Sequence, residues 1–262
     1  MDMQPDPRLA VSTWSLHRKL DRGDTNLFDI PAQAAAHGIG RLEVCHFHFP
    51  DRTEQTLTRL RAELERAGVS FFTLLIDTGD LVHPEPSQRA ADEREIAEWI
   101  ETAAACGAER VRVSAGNQAA DLEGALLQRS AEALLRLASR AGDLGVRLVT
   151  ENWQALLAGA QEVLRLLQLT GDSVGLMADF GNWTGSTKYE GLEQILPKAS
   201  STHAKISTVD DGALDWDDFA KCLYLCKKAA FAGPHSLIYD GPSEEWASLD
   251  EMRAFVQSYL VP

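Results

Sequence analysis

Short apolar, β-prone runs alternate along the chain with longer stretches whose apolar positions recur at helical spacing. Residues 69–76 (VSFFTLLI) and 146–150 (VRLVT) are the plainest of the short runs. Glycine punctuates the pattern at Gly38, Gly68, Gly107, Gly145, Gly171 and Gly233. Each follows an amphipathic stretch and precedes an apolar one, the place where a helix gives way to a strand. Eight strands are expected, beginning near Leu9, Arg41, Val69, Glu109, Val146, Val174, Ser201 and His235. The clearest helical stretches are 53–67, 87–106, 122–144 and 217–232, and a last helix at 243–259 follows the eighth strand. Strand-helix alternation implies a parallel sheet, and eight units imply closure into a (β/α)8 TIM barrel, an α/β fold. No Gly-rich dinucleotide fingerprint follows the first strand, which argues against an open doubly wound sheet.

A length of 262 residues fits one such barrel or two ordinary domains and does not by itself choose. No low-complexity segment or linker marks a second domain, so residues 1–262 are expected to form one. The chain is 45% hydrophobic and 24% charged, as soluble globular proteins are. Its longest apolar runs fall far short of a bilayer span, and its acidic, proline-bearing start does not resemble a signal peptide. The cytoplasm is therefore the expected location. Cys45, Cys106, Cys222 and Cys226 are scattered and expected to be buried, reduced thiols. A net charge of −14, from 25 basic and 39 acidic residues, repels phosphate backbones and speaks against nucleic-acid binding. Membrane association is not expected, and a homo-oligomer is left open.

In such a barrel the chemistry lies where strands run out into the loops that precede helices. Strand five ends in Glu151-Asn152-Trp153, strand six in Asp179-Phe180-Gly181-Asn182-Trp183, and strand seven carries His203-Ala204-Lys205. Glu151, Asp179 and His203 thus stand at comparable depth on adjacent strands about 4.8 Å apart. Two carboxylates and an imidazole suit a divalent cation such as Mn, Co, Mg or Zn.

These motifs, with Thr13-Trp14-Ser15-Leu16 on strand one and Leu42-Glu43-Val44 on strand two, resemble the xylose-isomerase-like barrels. That family includes sugar isomerases and epimerases, hydroxypyruvate isomerase, inosose dehydratase and endonuclease IV. The resemblance implies metal ligands at Glu151, Asp179 and His203, and a fourth ligand, a Glu, near the end of strand eight. Ile238 stands at that place here, and Asn182 stands where many relatives carry a His. In the family's sugar epimerases two Glu residues act as acid and base on opposite faces of the substrate, and only Glu151 matches.

Asp240, two residues past Ile238, is expected either to supply the fourth ligand or to cap the last helix. Trp14, Trp153 and Trp183 lie at or beyond strand ends, where they either stack on a sugar ring or pack loops on the barrel top. His46 is expected either to contact a substrate hydroxyl or to stand exposed in its loop. Lys205 shares parity with His203 and should face inward, to polarise a substrate oxygen or balance the carboxylates. Parity at strand four leaves the direction of Arg112 open. The resulting expectation is a metal-dependent isomerase, epimerase or dehydratase of a small polyhydroxy carbonyl compound, with Glu151 as base and Lys205 or a metal-bound water as acid, and with Trp14, His46, Trp153, Asn182 and Trp183 at the substrate. Two alternatives are an endonuclease-IV-like phosphodiesterase and a catalytically degenerate barrel that only binds. The first needs extra histidines on strands three and four, where the sequence has Asp77 and Ser114.

Overall fold

The computed structural model describes residues 4–120, 124–209 and 212–260. Its eight strands are β1 (Asp6–Ser12), β2 (Ile39–Cys45), β3 (Ser70–Ile76), β4 (Arg110–Val113), β5 (Arg147–Glu151), β6 (Gly175–Asp179), β7 (Ala199–Lys205) and β8 (His235–Ile238). They pair in chain order, every pair parallel, and β8 closes on β1. The expected closed (β/α)8 barrel is the observed fold. β1, β2 and β7 start two or three residues before the positions read from sequence, because polar Asp6 and Ser200 and side-chain-less Gly40 interrupt the apolar signal there.

The helices are α1 (His17–Arg22), α2 (Ile30–Ala36), α3 (Glu54–Ala67), α4 (Pro86–Cys106), α5 (Ala125–Asp143), α6 (Ala160–Thr170), α7 (Lys188–Ile195), α8 (Trp216–Lys228) and α9 (Glu245–Leu260). α5 shows why they form. Leu127, Ala131, Leu134, Leu137 and Ala141 repeat every three or four residues and are buried, each fully buried leucine contributing about 1.5–3 kcal/mol. The expected start of this helix at Leu122 lies outside the described residues. α8 stops at Lys228, four residues before the expected end, and Ala230 follows at φ 51°. Five of the glycines read as helix ends have positive φ. The exception, Gly233, serves close approach instead: a Cβ there would lie 2.4 Å from the Ser200 carbonyl oxygen.

One apolar cluster fills the layer between barrel and helices, joining Leu42 and Val44 of β2 with Leu60 and Leu64 of α3. A smaller one lies inside the barrel, formed by Cys45, Leu75, Val149 and Met177 with Trp14 against it. Register extends this inner set. Arg112 pairs with both Leu75 and Val149, which settles that it faces the interior. His203 pairs with Asp179 and Ser236, and Lys205 with Ile238. All four cysteines are free and buried. No helix among the described residues is long and apolar enough to cross a membrane.

Candidate metal centre

β5 and β6 deliver their carboxylates together because Asn152 ties the two strand ends. Its Oδ1 accepts from the Asp179 amide at 2.7 Å, and its Nδ2 donates to the Asp179 carbonyl at 3.1 Å. The Asp179 carboxylate is held by its own turn, Oδ1 accepting from the amides of Gly181 and Asn182 at 2.6 Å each. Gly181 leaves room for the stem of Lys205, which crosses it: a Cβ there would fall 2.7 Å from its Cδ and push the lysine aside.

Glu151 is gripped from three sides. Arg112 Nε lies 2.9 Å from its Oε2, Asn182 Nδ2 donates to Oε1 at 2.8 Å, and His203 Nδ1 stands 3.2 Å from Oε1. The same Nδ1 is 3.6 Å from Asp179 Oδ2. On the far side of the imidazole, Nε2 lies 2.9 Å from Oε2 of Glu43, a side chain of β2 with no solvent exposure.

Glu151, Asp179 and His203 each offer a ligand atom within 4.8 Å of the others. The donor set fits a divalent cation on two grounds. A proton on His203 Nε2, given to Glu43, leaves the Nδ1 lone pair facing the two carboxylates, the usual arrangement behind a metal-bound histidine. The carboxylates also outnumber the cations: Arg112 serves Asp77 as well as Glu151.

Without an ion, a proton takes part of that role. Burial works to lower the His203 pKa, but the charges of Glu151 and Glu43 and hydrogen bonds to Asp179 and Glu151 raise it well above the ordinary histidine value. Burial likewise works to raise Glu43 and Glu151, and the attraction of His203, joined by Arg112 at Glu151, outweighs it and lowers both.

Above these groups opens a cavity of about 240 Å³ whose walls include Trp14, Phe47, Asp77, Trp153, Lys205 and Ile238. The Arg112 guanidinium covers one face of Trp153, 4.8 Å from its centroid, and His17 stacks on Trp14 at 4.8 Å. Glu151, Asp179, Asn182, His203, Lys205, Trp14 and Trp153 therefore gather as the sequence suggested.

Three expected residues do not join them. Asp240 has a side chain 45% exposed and stands 3.9 Å from His17 Nε2, outside the carboxylate–imidazole cluster. β8 ends at Ile238, so strand parity no longer governs it. Nor does it cap α9, where Glu244 Oε2 accepts from the Ala247 amide at 2.7 Å. His46 turns under its loop, Nδ1 accepting from the Asp77 amide at 3.2 Å and the ring edge meeting Trp99. Trp183 is buried beside the cavity, its Nε1 donating to the Leu157 carbonyl at 3.1 Å.

Sequence reasoning gave no role to Glu43, Asp77 or Asn152, and left Arg112 undecided. A glutamate between Leu42 and Val44 in a buried strand was the available signal, because an acid in such a place needs a partner. Past the cavity the chain strains. Gln154 adopts φ 63°, ψ 173°, a region almost closed to residues with side chains, at a cost of roughly 1–3 kcal/mol.

The barrel, with carboxylates and an imidazole on β5, β6 and β7, defines the class to which the chain belongs: it is a member of the xylose isomerase-like TIM barrel family, whose model matches residues 31–255. Among curated proteins none matches it in sequence. Solved structures resemble it over nearly the full length. L-ribulose 3-epimerase superposes with a TM-score of 0.74 at 18% identity, covering 97% of this chain and 95% of that one. D-psicose 3-epimerase with D-tagatose from Clostridium cellulolyticum H10 gives 0.70 at 14%, covering 96% and 97%. A xylose isomerase-like TIM barrel protein from Mycobacterium smegmatis in complex with magnesium gives 0.67 at 15%, covering 90% of each. At such identities the likeness establishes the fold.

Proposed function

We propose that the protein is a divalent-metal-dependent isomerase, epimerase or dehydratase acting on a small polyhydroxy carbonyl compound. The observation that carries this reading is the Glu151–Asp179–His203 cluster, backed by Glu43 and set at the floor of an aromatic-walled cavity. Two relatives in fold, named as sugar 3-epimerases, and one holding magnesium support it.

Glu151, Asp179 and His203 would hold the ion, which when bound supplies Lewis acidity to adjacent carbonyl and hydroxyl oxygens. Glu151 is the base for the proton beside the carbonyl: its lowered pKa keeps it ionised, and Arg112 and Asn182 fix its direction. Lys205 reaches the same cavity and is placed to protonate a substrate oxygen. Ile238 lines the wall where the family's second glutamate would stand, so no second carboxylate base faces Glu151 there. That asymmetry favours proton transfer on one face, as in isomerisation or dehydration, over two-base inversion. Trp14 and Trp153 would pack on the apolar face of the ring. Among the described residues only this one group of metal-binding side chains is present, so a phosphodiesterase with several ions gains no support.

The test is elemental analysis, followed by a panel of ketoses and inososes in deuterated water with manganese, cobalt, magnesium or zinc supplied. Deuterium should appear at carbon beside the carbonyl of at least one compound. No exchange and no conversion in the whole panel, with metal bound, would sink the reading.

A further inference from the structure

We propose that the substrate carries a second, uncharged hydroxylated moiety, most simply a glycosyl unit, lying in a groove between the loops that follow β5 and β6. This rests on the sugar reading above and extends it from a free monosaccharide to a glycoside. The groove, about 600 Å³, is larger than the cavity over the metal centre, about 240 Å³, and the two share Trp153 and Asn182 as walls. The smaller volume alone falls under the roughly 300–1,000 Å³ of typical ligand pockets, and the groove lies within that range.

The chemistry of the groove selects its occupant. Its walls carry Gln154, Gln161, Glu162, Thr187, Glu190 and Gln194, and no Lys or Arg stands among the described residues that line it. Two carboxylates without a cation repel a phosphate, sulfate or carboxylate. Amides and hydroxyls pair with hydroxyls as both donor and acceptor. Gln161 Nε2 donates to Gln194 Oε1 at 3.0 Å, so the side chains of α6 and α7 already meet across the groove. Trp183, only 8% exposed, backs the groove and is held in place: its Nε1 donates to the Leu157 carbonyl, and its ring fits only because position 191 is glycine, where a Cβ would fall 2.7 Å from it. Gln154, in its strained backbone, lines the same groove next to Trp153, which lines the cavity as well. Partly exposed Trp153, with amides, hydroxyls and carboxylates around it to hydrogen-bond hydroxyl groups, offers what a pyranose ring needs.

Calorimetry on the purified protein with manganese present tests this. D-fructose is compared with maltulose, lactulose, leucrose and isomaltulose, disaccharides that end in fructose and differ in linkage. At least one should bind ten times tighter than D-fructose or better. Gln161→Trp, at an exposed helix position, fills the groove and should bring that ratio to about one; Gln161→Ala, which cannot clash, should lower it part of the way. If D-fructose binds and no disaccharide gains, or if the gain persists in Gln161→Trp, the groove is not a subsite and the monosaccharide reading stands alone. If neither D-fructose nor any disaccharide binds, the groove proposal falls, and the panel of ketoses and inososes decides separately whether the sugar reading stands.

Discussion

At the residue scale, Glu43 and His203 would decide how well the proposed centre holds an ion. Nδ1 must lose its proton to act as a ligand, whereas the apo protein keeps His203 protonated well above the usual histidine range. Metal affinity should therefore climb with pH until the folded His203 pKa is passed. Glu43→Gln removes one of the charges that raise this pKa, so the plateau should move to lower pH. The lost orientation of the imidazole should meanwhile weaken binding about 10–100-fold. Manganese titrations by calorimetry across pH check both effects, and an unmoved plateau would rule out the coupling. The apo fold responds with the opposite sign. Stability from the raised His203 pKa is fully present below the unfolded value near 6.5 and is lost as pH rises through the folded one. Glu151 and Glu43, both lowered, contribute above the unfolded carboxylate value and lose that contribution as pH falls through their folded values. For turnover, Glu151→Gln keeps an oxygen at the centre but removes the proton acceptor. Solvent-deuterium exchange into substrate should drop by about 10²–10⁴, and near-normal exchange would give the base role to another residue.

At the scale of elements, what was legible in the sequence followed strand periodicity, and what was not lay where that periodicity stops. Glu151, Asp179, His203 and Lys205 all sit within strands, where alternation tells the face, and all four line the cavity. Asp240, His46 and Trp183 lie beyond strand ends, where the turn sets direction and no alternation survives. Arg112 was undecided because β4 is only four residues long; pairing with its neighbours resolved it. The motif Glu151-Asn152 was visible, but that Asn152 joins two strands could be known only once β5 and β6 were adjacent. A prediction follows from that bond. Asn152→Ala leaves the Asp179 amide and carbonyl without a partner in a buried place, which should cost roughly 1–3 kcal/mol for each group left unsatisfied. It should also loosen the spacing of the two carboxylates. Urea denaturation should show the loss and manganese titration a weaker site. Stability within a few tenths of a kcal/mol of the parent would mean that the backbone finds other partners.

For the whole molecule, the centre concentrates an imbalance that the chain carries everywhere. The net charge is −14, and inside the barrel Glu43, Asp77, Glu151 and Asp179 face Arg112, His203 and the nearby Lys205. These groups come from β2, β4, β5, β6 and β7 and from the end of β3, so their repulsion is spread over most of the closed sheet. A divalent cation bound only by the folded chain, as proposed, would relieve it and shift unfolding by mass action, by about 2.7 kcal/mol at a free concentration a hundred times Kd. For a chain of this length that is a rise in Tm of roughly 5 °C. Thermal melts with manganese or magnesium, against the chelated protein, should show this rise. His203→Ala and Asp179→Ala should keep a cooperative melt while losing the dependence on metal. The control separates this centre from the acidic surface, since a cation gathered diffusely by a −14 chain would stabilise parent and variants alike. An equal rise in parent and both variants would place the bound cation on that surface, and the role assigned to the three strand ends would be withdrawn.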